Sequence, residues 1–369
     1  MKSKKDKNTK NTKDEVRFDG LKAHLESKLP SHKKPKSLRI TNDNIEEHRE
    51  DILAKGRKLK YPVQYSKKRL IIISLVVAVV AVGAFSLWLN NSLYKQQQTG
   101  DFFYSVTKIL PLNVASVDGQ PVRYQDYLRR LRADIYYYLN REHRSFNSEE
   151  GKKELDYHKR KNLDVAERVA YVRYLAEQNN VTVSDEQVDE AIKEMREADG
   201  ATEEDLISTL SNYYGWTLSD FRSTVHDQML ERALVYEIDD EADKTIKSVE
   251  EQLKNGGDFA TLARELSDDE ASKQNGGVIT AKTTDQDPAG IVAAVSNLDP
   301  GETTEIGQAQ IDDSYYYYIA RLNSKNDDAI NYSVIMIKLD KLDDDFAQLV
   351  KDGKIKEYIS VSSSDSFSE

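Results

Sequence analysis

The sequence predicts an α+β protein in which a single N-terminal transmembrane helix precedes a mostly helical domain and a smaller domain with a small antiparallel sheet. Three observations predict this class. Residues 70–90 are apolar and uncharged, helical periodicity runs almost without interruption from 124 to 235, and strands and turns follow helices beyond that point. At 369 residues the chain is long enough for two or three folded units.

The charge divides unevenly on the two sides of the apolar segment. Residues 1–69 contain 21 of the 53 Lys and Arg residues and 10 of the 64 Asp and Glu residues, which gives a net charge of +11. The rest of the chain carries −22, so the two parts are expected in different environments. We expect 1–69 to be a basic, solvated, disordered tail rather than a segment that binds nucleic acid or lipid. Within it, 43–59 has a weak helical pattern.

Residues 70–90 are predicted to cross a membrane. At about 1.5 Å per residue they span roughly 30 Å, the thickness of the apolar core of a bilayer. Three basic residues at 67–69 precede the segment, and Trp88 lies near its other end. A buried core helix would show a polar stripe, and a cleaved signal peptide would be shorter. The sequence therefore predicts a single-pass protein of the cell membrane, with its N-terminus cytoplasmic and the residues after about 91 extracytoplasmic.

The sequence predicts no cofactor and no metal site. The chain has no cysteine, which excludes metal–thiolate and cysteine-nucleophile chemistry and means that the exported part depends on its core rather than on disulfides. His143, His158 and His226 lie far apart and lack the spacing of metal ligands. No Gly-rich phosphate loop or nucleophile elbow is present.

The first exported unit reads as a short hairpin followed by helices. Asp118-Gly119 predicts the hairpin turn, and helices are predicted at 124–140 and 149–179. Ser184–Gln187 forms a capping box, and later helices begin near Thr202 and near Thr217 or Ser219. Three segments of this unit, VASVDGQPVRYQDYLRRL, NNVTVSDEQVDEAIKEM and GWTLSDFRSTVHDQMLERAL, resemble in the same order the N-terminal chaperone domain of SurA-type proteins. The resemblance covers about 110–235 and implies a domain that cradles unfolded segments of exported proteins.

The second unit resembles a parvulin-type prolyl isomerase domain. LKNGGDFATLARELSDDEASKQNGG parallels the family's helical region without a gap, and IVAAVSNLDPGE parallels the helix and turn before its final hairpin. The order of the two domains is that of SurA- and PrsA-type foldases. The predicted divisions are a cytoplasmic tail (1–69), a transmembrane helix (70–91), a linker (92–112), a SurA-like domain (113–235), a parvulin-like domain (236–340) and a C-terminal extension and tail (341–369).

In parvulins, two histidines and an Asp or Cys form a hydrogen-bonded cluster beneath an apolar pocket that holds the proline ring. The resemblance puts Asp269 on the Asp/Cys position and Tyr318 where the final-strand histidine is expected. It puts Ile291 on the aromatic wall of the pocket and Asp287 near its Met or Leu position. These residues are the predicted catalytic and peptide-binding residues.

A first strand is predicted at 233–238, which brings Glu237 near the position of the other histidine. The last histidine of the chain is His226, so a paired-histidine site cannot exist in this domain. Isomerase activity is therefore expected to be weak or absent, or to use Tyr318 in place of histidine. From the residues alone, Asp269 is equally well a solvated carboxylate at a helix end, and Glu237 a surface residue.

Residues 331–339 predict a further apolar strand that joins the parvulin-like sheet and compensates for a degenerate first strand. A short helix at 343–350 and a last strand at 356–361 are predicted to follow.

The leading functional hypothesis is a membrane-anchored extracytoplasmic foldase whose partners are unfolded or proline-containing exported polypeptides and the lipid bilayer, with no nucleic acid. A non-catalytic holdase, a structural or adhesive envelope protein and a signalling protein are the alternatives.

Overall fold

The computed structural model describes residues 42–60, 62–282, 287 and 289–362. The chain divides into two compact units, Met1–Gly83 and Ala84–Glu369. The prediction of disorder for residues 1–41 lies outside the described residues.

Helix α1 (Asn42–Lys60) and helix α2 (Pro62–Asn90) are the elements described in the N-terminal part of the chain. Helix α1 confirms the helical pattern seen at 43–59, so the prediction of a disordered tail is wrong for these residues. Helix α2 contains the predicted apolar segment. Among the described residues, one helix, Lys67–Lys95, is long and apolar enough by length and composition to cross a membrane.

The segment predicted as a polar linker is folded. A π-helical turn (Asn91–Lys95) continues helix α2, and helix α3 (Asp101–Ile109) follows. Leu93 is completely buried, and its carbonyl accepts a 2.7 Å hydrogen bond from the Tyr124 hydroxyl. The linker prediction was wrong because Leu93, together with apolar side chains of helix α3, packs on the core of the domain that follows.

The hairpin prediction is confirmed by strands β1 (Asn113–Val117) and β2 (Gln120–Arg123). Asp118 and Gly119 both have positive φ, 45° and 82°, as a tight two-residue turn between twisted strands requires. Helix α4 (Tyr124–Asn140) follows directly, at the predicted bounds.

The next helices begin at side-chain caps. They are α5 (Glu149–Gln178), α6 (Asp185–Ala198), α7 (Glu203–Thr209), which a π-helical turn (Leu210–Tyr214) extends, and α8 (Leu218–Ile238). Ser184 and Gln187 form the predicted capping box, and Thr202 and Asp205 form a second one. Thr217, rather than Ser219, caps helix α8. Each cap satisfies amide groups that the first helical turn leaves unpaired.

The strand predicted at 233–238 is wrong, because helix α8 continues to Ile238. Leu230 and Leu234 are four residues apart and both buried, so the helical period persists to the end of this stretch. The Tyr236 hydroxyl donates to the carbonyls of Ala309 and Tyr316, which ties the end of the helix to the sheet that follows. The Asp239 side chain then accepts from the Ala242 amide and starts the next helix.

That helix, α9, opens a lobe of helices and strands, which we call the sheet lobe (240–338). Its elements are α9 (Asp240–Lys254), α10 (Phe259–Leu266), α11 (Glu270–Lys273), β3 (Val278–Lys282), α12 (Ile291–Ser296), β4 (Gly307–Ile311), β5 (Ser314–Lys325) and β6 (Ala329–Lys338). The antiparallel sheet has the order β3-β6-β5-β4. The prediction that 331–339 joins the sheet is confirmed, and β6 takes an inner position between β3 and β5. Residues 233–238 form the end of a helix and do not provide the predicted first strand of the sheet. Strand β6 provides a strand in its place.

The C-terminal segment returns to the N-terminal hairpin. Helix α13 (Lys341–Lys351) precedes strand β7 (Ile355–Glu357), which pairs antiparallel with β1 to give a three-stranded sheet of order β2-β1-β7. The sequence predicted this helix and strand but not their location. Residues 341–362 therefore belong with 91–238 rather than to a separate extension, and we call these two segments together the helical lobe. The sheet lobe is inserted between them.

Candidate functional site

Four of the five predicted site residues lie at one face of the four-stranded sheet. Because successive side chains on a strand point to opposite faces, Tyr315, Tyr317 and Ile319 pack into the core shared with the helical lobe. The other face, which we call the Tyr318 face, has a separate buried cluster covered by helix α12: Ile291, Val295, Ala309, Tyr318, Ala320, Leu322, Ile330, Tyr332, Val334 and Met336.

Tyr318 lies in the middle of this face, opposite Met336 of strand β6 and Gly307 of strand β4. Its ring lies so close over Gly307 that a Cβ at that position would be 2.3 Å from the ring Cζ. The side chain is only 6% exposed, and burial, with a smaller effect of Asp287, raises the pKa of its phenol. At neutral pH Tyr318 is therefore an uncharged phenol with a fixed ring.

Tyr332 of strand β6 is a second buried phenol on the same face. Burial raises its pKa to about 12, and the carboxylates of Asp287 and Asp269 add to this effect. Two predicted site carboxylates therefore interact electrostatically with a tyrosine that the sequence analysis did not single out. The face carries phenol groups near carboxylates, in the region where the resemblance implies histidines near an Asp.

Asp287 and Ile291 both belong to the start of helix α12. The Asp287 side chain accepts a 2.8 Å hydrogen bond from the Ala293 amide, and its carbonyl accepts from the Gly290 amide at 3.1 Å. Ile291 is buried against the Tyr318 face. Asp287 thus holds the helix that covers the face, and its carboxylate is engaged by backbone.

Asp269 is the N-cap of helix α11. Its carboxylate accepts from the Ala271 amide at 3.3 Å and from the Ser272 hydroxyl. The preceding Ser267 is fully buried, and its hydroxyl oxygen accepts from the Met336 amide at 3.1 Å. Asp269 therefore lies at a helix end, which is one of the two interpretations that the sequence allowed. The hydrogen bond between Ser267 and strand β6 holds the residues around Asp269 close to Tyr332.

The structure does not bring Glu237 to this face. Glu237 is exposed on helix α8, and its carboxylate acts electrostatically on Tyr317. Burial raises the pKa of the Tyr317 phenol, and Asp243, Asp239 and Glu237 raise it further. Because Tyr317 and Tyr318 point to opposite faces of strand β5, Glu237 is separated from Tyr318 by the sheet. The prediction of its position depended on a strand at 233–238, which is helical.

Tyr332 and Met336 are the residues of this face that the sequence analysis missed. They alternate with buried residues of the opposite face along 331–339, a segment that was predicted to join the sheet. Side chains alternate between the two faces of a strand, so this alternation would have identified Tyr332 and Met336 once strand β6 was known to be an inner strand beside β5.

We expect Gly307→Ala to destabilise the sheet lobe by about 1–3 kcal/mol, because the new methyl group forces the Tyr318 ring out of its position. Urea unfolding measures the loss. In a Tyr318→Ala background the same change should cost far less, since the clash is gone. An equal cost in both backgrounds would contradict the proposed contact.

The helical lobe has a groove of a different character. A cavity of about 510 Å³ between helices α4, α5, α6 and α8 is lined mainly by charged and polar side chains. At its base the buried carboxylate of Asp227 accepts from Arg129 at 2.9 Å and from Arg173 at 2.7 Å, and Asp126 also pairs with Arg173. Among the described residues, no group of His, Cys, Asp or Glu side chains could hold a metal ion.

Two family models match the chain in the order of these lobes. A model described as a SurA-like N-terminal domain matches residues 64–235, and a model described as a PPIC-type PPIASE domain matches residues 234–312. The chain is therefore similar, in this order, to a SurA-like N-terminal domain and a PPIC-type PPIASE domain.

Curated relatives are similar to the chain over a shorter stretch. Foldase protein PrsA 3 of Bacillus anthracis is 35% identical over 85 residues, which is 23% of this chain and 29% of the relative. Foldase protein PrsA 3 of Bacillus cereus is 32% identical over 85 residues. The chain therefore spans less than a third of the length of these relatives.

The PPIC-type match includes Asp269, Asp287 and Ile291 but ends at residue 312. Tyr318 and Tyr332 lie beyond it, on strands that complete the same sheet. The part of the Tyr318 face that bears the phenol groups is thus the part that the PPIC-type model does not cover.

Proposed function

We propose that the protein is a membrane-anchored extracytoplasmic foldase that binds unfolded exported polypeptides and has slow or no prolyl isomerase activity. The observation that carries this proposal is the order of the matched domains in one chain, a SurA-like domain followed by a PPIC-type domain. The apolar helix Lys67–Lys95, with basic residues at 67–69, supports the anchor and its orientation. The relatives named foldase support the protein-folding role.

The chemistry of the Tyr318 face supports slow catalysis. Rotation about an X-Pro bond has a barrier of about 20 kcal/mol, which an isomerase lowers by binding the twisted amide more tightly than the planar one. Tyr318 and Tyr332 are uncharged phenols that can donate to an amide carbonyl. However, Met336 is only 2% exposed and Ile291 is also buried, so little apolar surface is accessible to a proline ring.

A refolding assay with the full chain in detergent micelles or lipid nanodiscs tests the proposal. With a denatured protein whose refolding is limited by proline isomerisation, we expect suppression of aggregation and at most a few-fold increase in the folding rate. Tyr318→Phe should abolish that increase and leave the suppression of aggregation unchanged. Tyr316→Phe, two residues away on the same strand, is the matched control and should change neither.

Two outcomes separate the alternatives. A large rate enhancement that survives Tyr318→Phe would contradict slow catalysis through the Tyr318 face and would leave the foldase proposal standing. No binding to denatured proteins and no rate enhancement would contradict the foldase proposal itself and would favour a structural protein of the cell envelope.

A further inference from the structure

Helix α3 has its apolar stripe on the outside of the helical lobe. Phe102 and Ile109 are spaced i and i+7 and therefore share one side of the helix. Phe102 is 52% exposed and Ile109 81% exposed, and Leu110 directly after the helix is exposed as well. A helix that packs on a soluble domain normally buries such a stripe.

The opposite side of helix α3 packs on the apolar core of the helical lobe through Phe103, Tyr104 and Val106, and polar contacts add to this packing. The Tyr104 hydroxyl donates to the Asp220 carboxylate of helix α8 at 2.5 Å, and Lys108 pairs with the same carboxylate at 2.8 Å. Burial alone would raise the pKa of Asp220, but the hydrogen bonds from Lys108 and Tyr104 lower it to about 2. Arg132 of helix α4 pairs with Asp101 at the other end of the helix. Helix α3 is therefore fixed in place with Phe102 and Ile109 on its outer side.

The exposed stripe continues into the end of the apolar helix α2. The ring of Trp88 lies 5.8 Å from the ring of Phe102 and 5.6 Å from that of Phe103, and Phe85 is 5.8 Å from Trp88. Trp88 is itself half exposed. One aromatic surface thus extends from the last turns of the candidate membrane span to helix α3.

We propose that helix α3 lies in the membrane–water interface, with Phe102 and Ile109 against the acyl chains and Lys108 near the lipid headgroups. Interfacial helices have this combination of an apolar side and a polar side, and Trp is enriched at that depth. Lipid is the occupant because the stripe is continuous with Trp88, which faces lipid if helix α2 spans the bilayer. The inference rests on the proposed membrane anchor and adds a second membrane contact, which restrains the helical lobe at the bilayer surface.

Because the chain has no cysteine, single spin labels can be placed without removing native thiols. The full chain, reconstituted into phosphatidylcholine–phosphatidylglycerol vesicles, is labelled separately at Ile109→Cys, Ile207→Cys and Val79→Cys. Ile207 is an exposed apolar residue of helix α7, and Val79 lies within the candidate span. Collision of each label with oxygen, which concentrates in lipid, is compared with collision with a water-soluble nickel complex.

We expect oxygen collision to dominate at 79 and 109 and nickel collision to dominate at 207. Nickel collision at 109 with oxygen collision at 79 would overturn the interfacial helix and leave the anchor intact. Low collision with both reagents at 109 would mean that protein covers the stripe and would also overturn the inference. Nickel collision at 79 would overturn the membrane anchor, and the inference with it.

Discussion

Deletion of residues 353–369 is expected to unfold most of the helical lobe. The deletion removes strand β7 and with it the backbone hydrogen bonds that join Tyr358 to Val114 and Asp118 to Lys354, each 2.9 Å long. It also removes the buried side chain of Ile359. Each hydrogen bond contributes about 1 kcal/mol and the buried isoleucine roughly 2 kcal/mol. Together with the other pairing of strand β7, the expected loss in the free energy of unfolding is on the order of 5 kcal/mol. Domains of this kind have total stabilities of about 5–15 kcal/mol.

The fluorescence of Trp216 measures this loss within the helical lobe, since its indole N–H donates to the Arg129 carbonyl at 3.0 Å. A Trp88→Phe background leaves it as the single tryptophan of the chain. We expect the urea midpoint to fall sharply on deletion and to stay unchanged in Lys356→Ala, which removes only an exposed side chain of strand β7. An unchanged midpoint after deletion would contradict the pairing of β7 with β1.

The second large effect is expected for Asp227→Ala, with a loss of about 3–5 kcal/mol in the free energy of unfolding. The Asp227 carboxylate is only 3% exposed and lies against Arg129 and Arg173. Burial, and then the neighbouring Arg129, lower the pKa of Arg130, and Asp227 opposes this lowering. Without Asp227, these three guanidinium groups have Asp126 as the remaining buried carboxylate, so positive charge is left buried without enough compensation.

Asp101→Ala is the matched control for this prediction. It also removes a carboxylate that pairs with an arginine, Arg132, but Asp101 is 94% exposed, so water replaces the lost partner. We expect a change of no more than about 1 kcal/mol. Urea unfolding followed by Trp216 compares the two variants. Equal losses would mean that water already solvates the arginine cluster around Asp227.

The candidate site was predictable in part. Asp269, Asp287, Ile291 and Tyr318 follow from the resemblance to parvulin-type domains, and the structure brings them to one face. Glu237 was misplaced because its position depended on whether 233–238 is a strand, and a short apolar run fits a strand and a helix end equally well. In the structure these residues are helical, and Tyr236 contacts strands β4 and β5, which are distant in sequence.

The sequence alone determined the features that arise from neighbouring residues: the bounds of helix α4, the capping box at Ser184, and the Asp118-Gly119 turn. Only the tertiary structure decided where strands β6 and β7 pair, that the linker folds, and which side of helix α3 faces outward. The reason is physical. Caps and turns satisfy backbone groups within a few residues, whereas a strand or an apolar stripe needs a partner whose identity depends on the whole fold.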